Sequence, residues 1–136
     1  MTLEEQKTIL DGLKARFDAP YSLEDRNIIR ELYALDKGYE MKVTTCQSCY
    51  HDAVIELYNY VKIALMNKER KYRLRCGFII SRNDFHNAKV FDNNNITDTI
   101  AREYLDRFPD MEKYFIINKD VEDPQVEVKT KRGKKQ

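Results

Sequence analysis

The sequence predicts an α+β protein with a helix pair, a long central helix, a small β-hairpin, a short C-terminal helix and an extended basic tail. Three observations predict this fold class. Apolar residues recur at steps of three and four in the first half of the chain, which is the period of helices. The period changes to two from Tyr72 onward, as is typical of a strand. Beyond Asp120, isolated valines stand among charged residues, which indicates an extended segment.

Two helices are predicted at the N-terminus. Thr2 and Glu5 have the spacing of a capping box, which predicts a helix over 3–17. Ser22 suits the N-cap of a second helix, and Gly38 suits its end. A short turn between them makes these helices a pair.

The third helix is predicted to be the longest. Thr44 or Thr45 can cap its start, and its end is expected near Asn67. No Gly or Pro interrupts its apolar stripe, so this face is expected to form the centre of the core. The stripe consists of Tyr50, Ala53, Val54, Leu57, Val61, Ala64 and Leu65.

A β-hairpin and a short helix are predicted to follow. Alternation over 72–81 predicts the first strand, and 88–91 supplies the second. Asn95 or Thr97 can cap the short helix, while Pro109 suits the first position of a separate last turn. The predicted division is one folded domain over 1–119 and a tail over 120–136.

The charge of the chain is unevenly distributed. The formal net charge of the 136 residues is +1, yet the last eight residues contain five basic residues and no acid. The remainder is therefore mildly acidic. Such a basic density suits nonspecific contact with DNA or with an acidic protein surface. The basic residues are Lys129, Lys131, Arg132, Lys134 and Lys135.

Composition and motifs argue against several functional classes. No apolar run approaches the roughly 18 residues of a membrane helix, so no membrane partner is expected. The start of the chain does not resemble a secretory signal, which indicates synthesis in a cytoplasm. The four glycines are isolated and form no phosphate-binding loop, and we expect neither a cofactor nor an enzymatic activity.

Cys46 and Cys49 form a Cys-x-x-Cys motif that admits three interpretations. The favoured one is that both are reduced, small apolar residues packed under neighbouring elements. A zinc site is the second, because a structural site needs four ligands. Cys76, His51 and His86 are the further candidate ligands, provided that the hairpin folds back over the start of the third helix. The third is a redox pair with a thiol pKa lowered by the helix N-terminus, although the strand that precedes such motifs in thioredoxin-like folds is absent from the sequence pattern.

Tyrosine is abundant in this chain, with nine copies. Tyr50, Tyr58 and Tyr60 cannot all point into one small core. Tyrosine is enriched at protein interfaces, where it covers apolar area and still satisfies a polar edge. One or two of these three are therefore expected to contact another subunit, and positions in the core or at its rim are the alternative.

Two segments resemble small proteins of the crAss-like tailed bacteriophages. Residues 46–56 resemble a Cys-x-x-Cys-Tyr-x-Asp-Ala-x-Ile-Glu segment of those proteins. Residues 95–109 resemble their Asn-x-Thr-Asp-x-x-Ala-x-x-x-Leu-x-x-x-Pro helix. The resemblance implies a non-enzymatic structural protein of the virion, made in the cytoplasm of the bacterial host. It implies either an auxiliary capsid protein that binds and stabilises the shell, or a component near the portal and tail.

The partners expected on this interpretation are other virion proteins, namely capsid or connector subunits. Exposed tyrosines, the apolar edge of the hairpin and the basic tail would contact them. The alternative from another class is an intracellular regulator with a zinc-supported fold and a nucleic-acid-binding tail. That alternative requires bound zinc and DNA binding that weakens steeply with salt.

Overall fold

The structure of the protein is a computed structural model that describes residues 1–42 and 44–122. It confirms the predicted α+β class, with three N-terminal helices, a two-stranded antiparallel sheet and a short C-terminal helix. The tail was predicted over 120–136, so all of it beyond residue 122 lies outside the described residues. The elements are α1 (Leu3–Ala15), α2 (Leu23–Lys37), α3 (Gln47–Met66), β1 (Tyr72–Leu74), a 3₁₀ turn (His86–Ala88), α4 (Asp98–Arg107), a second 3₁₀ turn (Pro109–Tyr114) and β2 (Phe115–Ile117).

The chain divides into two compact units. The N-terminal unit consists of Met1–Met66 and Arg75–Gly77, and the C-terminal unit consists of Asn67–Leu74 and the chain from Phe78 onward. Each unit has its own cluster of buried apolar side chains. The single domain over 1–119 stays a prediction.

Capping residues fix the start of α1 and both ends of α2 as predicted, whereas α1 ends at Ala15 and not at the predicted Phe17. Thr2 Oγ1 accepts from Glu5 N, while Glu5 Oε1 accepts from Thr2 N, which completes the capping box of α1. Ser22 Oγ accepts from Asp25 N at the start of α2. Gly38 ends α2 in the left-handed conformation, with φ +86°. Both helices are therefore specified by local signals.

The core of the N-terminal unit forms where α1 and α2 pack against α3. Leu10, Ile29, Val54, Leu57 and Val61 are completely buried there. The apolar stripe of α3 is thus central to this core, because it meets a helix on either side.

Within the residues that the structure describes, no helix has both the length and the apolarity to cross a bilayer.

The sheet of the C-terminal unit differs from the predicted hairpin. β1 pairs with β2, so that Leu74 lies opposite Phe115. The predicted second strand over 88–91 forms only one isolated bridge, between Ile80 and Phe91. The prediction was wrong because Ala88 belongs to a tight turn with positive φ, a conformation that a strand does not adopt.

Side chains complete the backbone hydrogen bonding around β1. Leu74 N donates to Asn93 Oδ1 at 2.9 Å, and Asn93 Nδ2 donates to Leu74 O at 3.0 Å. The Asp98 carboxylate accepts from Lys71 N and Tyr72 N, both at 3.0 Å. Asp98 is also the first residue of α4, whose start Thr97 caps as predicted. The first strand and the last helix of this unit are therefore tied together by one side chain.

Candidate functional site

The candidate site lies at the N-terminal end of α3, within the N-terminal unit. Cys46 immediately precedes α3, and its Sγ accepts a hydrogen bond from Cys49 N at 3.2 Å. A sulfur therefore occupies the capping position that the sequence assigned to Thr44 or Thr45. Thr44 Oγ1 instead accepts from Cys46 N at 3.0 Å, which fixes the residue that carries the capping sulfur.

Cys46 and Cys49 are joined by a disulfide. The prediction of two reduced thiols packed under neighbouring elements is therefore wrong, and the exposure of the pair shows why. Cys49 is exposed and Cys46 is half-buried, so neighbouring elements do not cover them. Residues three apart at a helix start lie on one face, which brings the two sulfurs together.

Gln47, inside the motif, holds the connection between α1 and α2. Its Oε1 accepts from Tyr21 N at 2.9 Å, and the Tyr21 hydroxyl donates to Leu13 O at 3.0 Å. Tyr21 is itself buried in the core. The start of α3 is therefore anchored to the neighbouring helices by hydrogen bonds that do not involve the disulfide.

His51 lies one turn further along, in an aromatic environment. Its ring centroid is 4.5 Å from that of Phe17 and 4.9 Å from that of Tyr21. The Nε2 atom is buried and has no hydrogen-bond partner among the described residues. The imidazole thus acts mainly as a flat packing surface against the loop after α1.

The candidate zinc ligands do not assemble into a site. The sulfurs of Cys46 and Cys49 are bonded to each other, whereas zinc binds cysteine as thiolate. Burial, and then the charge of Glu56, raise the pKa of the Cys76 thiol to about 12, which disfavours its thiolate. Over residues 1–42 and 44–122, no group of three or more His, Cys, Asp or Glu side chains could hold a metal ion. The zinc-supported alternative therefore has no ligand set in this part of the chain.

The three tyrosines predicted to contact a partner lie in different environments. Tyr50 is 1% exposed and Tyr60 is buried as well, so the expected contact of one or two of the three tyrosines with another subunit stays a prediction. Both point into the helical core because α3 is covered by α1 and α2 on two sides. Tyr58 is half-buried, and Lys14 Nζ lies 3.9 Å from the centre of its ring. Its face is thus already occupied by a cation.

Tyr39 is the exposed tyrosine that sequence reasoning missed. All nine tyrosines are described, and Tyr39, at 59% exposure, is the exposed one among them. It follows Gly38, which ends α2, and its ring makes an edge contact with Tyr33. Leu35, in the last turn of α2, is 43% exposed. The sequence signal was the predicted helix stop at Gly38, because a residue just after a helix end is free to leave the core.

The C-terminal unit has a second exposed apolar pair. Ile79 and Val90 are 48% and 49% exposed, and each adjoins a member of the buried bridge between Ile80 and Phe91. The contact expected at an apolar edge of the hairpin stays a prediction.

The predicted basic contacts lie outside the described residues, and their role stays a prediction. They are Lys129, Lys131, Arg132, Lys134 and Lys135.

No protein-family model, no curated protein and no solved structure matches this chain. Its site is therefore interpreted from its own geometry.

Proposed function

We propose that the chain is a non-enzymatic structural protein of a bacteriophage virion, namely an auxiliary capsid protein that binds and stabilises the shell. The exposed side chains of Tyr39 and Leu35, at the end of α2, carry the proposal. An exposed tyrosine ring that packs on a neighbouring ring is a typical centre of a protein interface. The resemblance of residues 46–56 and 95–109 to crAss-like phage proteins supports the virion as its setting.

Ile79 and Val90 give the C-terminal unit a surface of the same kind. Two half-exposed aliphatic side chains offer apolar area that a capsid subunit can cover. Each surface is small, so a single contact through either is weak. A symmetric shell presents the same complementary surface many times, and contacts that act together increase the total affinity without new interactions.

The first test is the composition of purified virions from the phage that encodes the chain. A shell protein is expected in hundreds of copies, whereas a position at the portal or tail corresponds to about a dozen copies. Quantitative mass spectrometry of the particles measures this number. Absence of the chain from purified particles would contradict the proposal.

The second test addresses the surface itself. Full-length protein is titrated against assembled shells that lack it, and against free capsid subunits. Tyr39→Ala is expected to weaken shell binding by about tenfold, the usual effect of removing an aromatic anchor. Tyr58→Ala is the matched control, since the ring of Tyr58 is already covered by Lys14.

Two results would overturn this assignment. Shell binding by Tyr39→Ala equal to that of the unchanged protein would exclude the surface at the end of α2. Equal affinity for shells and free subunits would exclude a role in stabilising the assembled shell. Thermal unfolding of both variants is measured in parallel to show that each remains folded.

A further inference from the structure

We propose that the Cys46–Cys49 disulfide is a thiol–disulfide exchange site that reacts reversibly with a small monothiol such as glutathione. Cys49 is the sulfur that is attacked, and Cys46 is the sulfur that leaves. This reactivity goes beyond the proposed role in the shell and does not depend on it.

Exposure selects the sulfur that is attacked. An incoming thiolate must approach one sulfur of the disulfide from the side opposite the bond that breaks, so access decides between the two. Cys49 is exposed, whereas Cys46 is half-buried at the junction between the preceding loop and α3. The more exposed residue, Cys49, is therefore the one that the monothiol attacks.

Contacts at the N-terminal end of α3 stabilise the leaving sulfur, Cys46 Sγ. Cys46 Sγ already accepts from Cys49 N at 3.2 Å and lies 3.4 Å from Ser48 Oγ, whose hydroxyl hydrogen can rotate toward it. It also lies at the N-terminus of a helix of 20 residues, where the helix dipole favours a thiolate. The first turn of α3 contains no acidic residue that would oppose this charge. A leaving sulfur whose negative charge is stabilised by hydrogen bonds and by the helix dipole departs more readily, so both effects favour the release of Cys46.

The exchange reaction needs no oxidant or reductant besides the monothiol and the protein disulfide. The monothiolate attacks Cys49 Sγ, the bond between Cys46 and Cys49 breaks, and its electron pair stays on Cys46 as a thiolate. A second monothiol then attacks the mixed disulfide and releases Cys49. Two monothiols are oxidised to one external disulfide while the protein disulfide is reduced, and the two thiol protons pass to Cys46 and Cys49.

The surrounding contacts allow the site to reform. Thr44 Oγ1 holds the backbone of Cys46, and Gln47 ties the helix start to Tyr21, independently of the sulfurs. Reduction therefore leaves both cysteines at the same end of α3, where a small external disulfide can oxidise them again. Cys76 takes no part, because it is buried in the core of the N-terminal unit.

The test treats the oxidised full-length protein with reduced glutathione at neutral pH, followed by rapid acid quenching, alkylation and peptide mapping. The expected result is reduction of the Cys46–Cys49 disulfide under native conditions. The trapped intermediate is expected to hold glutathione on Cys49, and Cys76 is expected to stay unmodified. Oxidised glutathione should restore the disulfide.

Two single variants provide a matched comparison. Cys49 in Cys46→Ser and Cys46 in Cys49→Ser are each expected to form a mixed disulfide with oxidised glutathione that persists, because neither variant has a second sulfur that can displace the glutathione. An unreactive Cys76 shows in both variants that the core stays closed.

The proposal is overturned if the disulfide resists glutathione until denaturant is added, or if the trapped glutathione lies on Cys46. It is also overturned if Cys76 becomes modified at the same rate as the pair, since the reaction then requires opening of the fold. The presence or absence of the chain in virions does not affect any of these outcomes.

Discussion

The Lys37 ammonium lies 2.8 Å from the Glu56 carboxylate, and thereby joins the end of α2 to the middle of α3. Burial works to lower the pKa of Lys37, but the hydrogen bond and the charge of Glu56 outweigh it and hold this pKa above its ordinary value. Gly77 passes directly beside the pair with φ +85°. A Cβ at this position would lie 3.3 Å from Lys37 Nζ and 3.5 Å from Glu56 Oε2.

Gly77→Ala is therefore expected to lower the free energy of unfolding by about 1–2 kcal/mol, because alanine is strained at positive φ and its methyl group crowds the ion pair. Gly12→Ala is the matched control, because it should raise the free energy of unfolding. Gly12 lies inside α1, where a Cβ meets only Arg16 Nη1 at 3.5 Å, so alanine should stabilise the helix by about 1 kcal/mol. Urea denaturation of both variants measures the difference, and equal effects would contradict this account of Gly77.

Alkaline pH is expected to destabilise the N-terminal unit through Cys76. Burial, then the charge of Glu56, raise the pKa of this thiol from 9.0 to about 12 in the folded protein, while Lys37 partly opposes them. The folded state therefore retains the proton longer than the unfolded state does. The stabilisation is fully present below about pH 9 and is lost as the pH rises toward 12, by at most about 1.4 kcal/mol per pH unit, which is the limit for a single proton.

Cys76→Ala isolates this effect, because other groups of the chain also titrate in the alkaline range. The difference in the free energy of unfolding between the unchanged protein and the variant should be constant below pH 9 and should shrink above it. A difference that is independent of pH would show that Cys76 is not the group responsible.

His51 is expected to respond in opposite directions to two substitutions. His51→Phe keeps the ring contacts with Phe17 and Tyr21 and removes a buried nitrogen that has no partner among the described residues, so it should stabilise the protein by about 0.5–1 kcal/mol. His51→Ala loses the ring contacts and should cost about 1–3 kcal/mol. Chemical denaturation distinguishes them. Destabilisation by both variants would indicate that Nε2 makes an important hydrogen bond.

Asn93 is expected to be essential for the order of β1. Asn93→Ala removes both side-chain hydrogen bonds to the backbone of Leu74, at a cost of about 2 kcal/mol. Asn94→Ala, at the adjacent exposed position, should change stability by less than about 0.5 kcal/mol. Hydrogen exchange at the Leu74 amide should increase in the first variant alone. Unchanged exchange in Asn93→Ala would contradict this role.

The helices of this protein were predictable because their ends depend on local chemistry. Thr2, Ser22, Gly38 and Thr97 act within one turn of the chain, so their positions in the sequence suffice to place α1, α2 and α4. The partner of β1 was not predictable in the same way. Both 88–91 and 115–117 are short apolar segments, and the choice between them depends on the tight turn at His86–Ala88 and on packing between residues distant in sequence.

The candidate site was located from the sequence but not correctly described. The Cys-x-x-Cys spacing placed Cys46 and Cys49 at the start of α3, yet spacing alone does not determine which face of a helix its neighbours cover. The same limit explains the tyrosines. Tyr50 is buried and Tyr39 is exposed because α1 and α2 cover the face of α3 that holds Tyr50, and no local pattern encodes that contact.

The antiparallel pairing of Tyr72 with Ile117 has a consequence for the order of folding during synthesis. Helices α1 to α3 make their contacts with one another, so they can pack while the ribosome is still translating the rest of the chain. The sheet must instead wait until β2 has left the exit tunnel, and closing so long a loop has an entropic cost that grows with its length. The strand that begins the C-terminal unit therefore remains without its partner until the last described segment of the protein has been made.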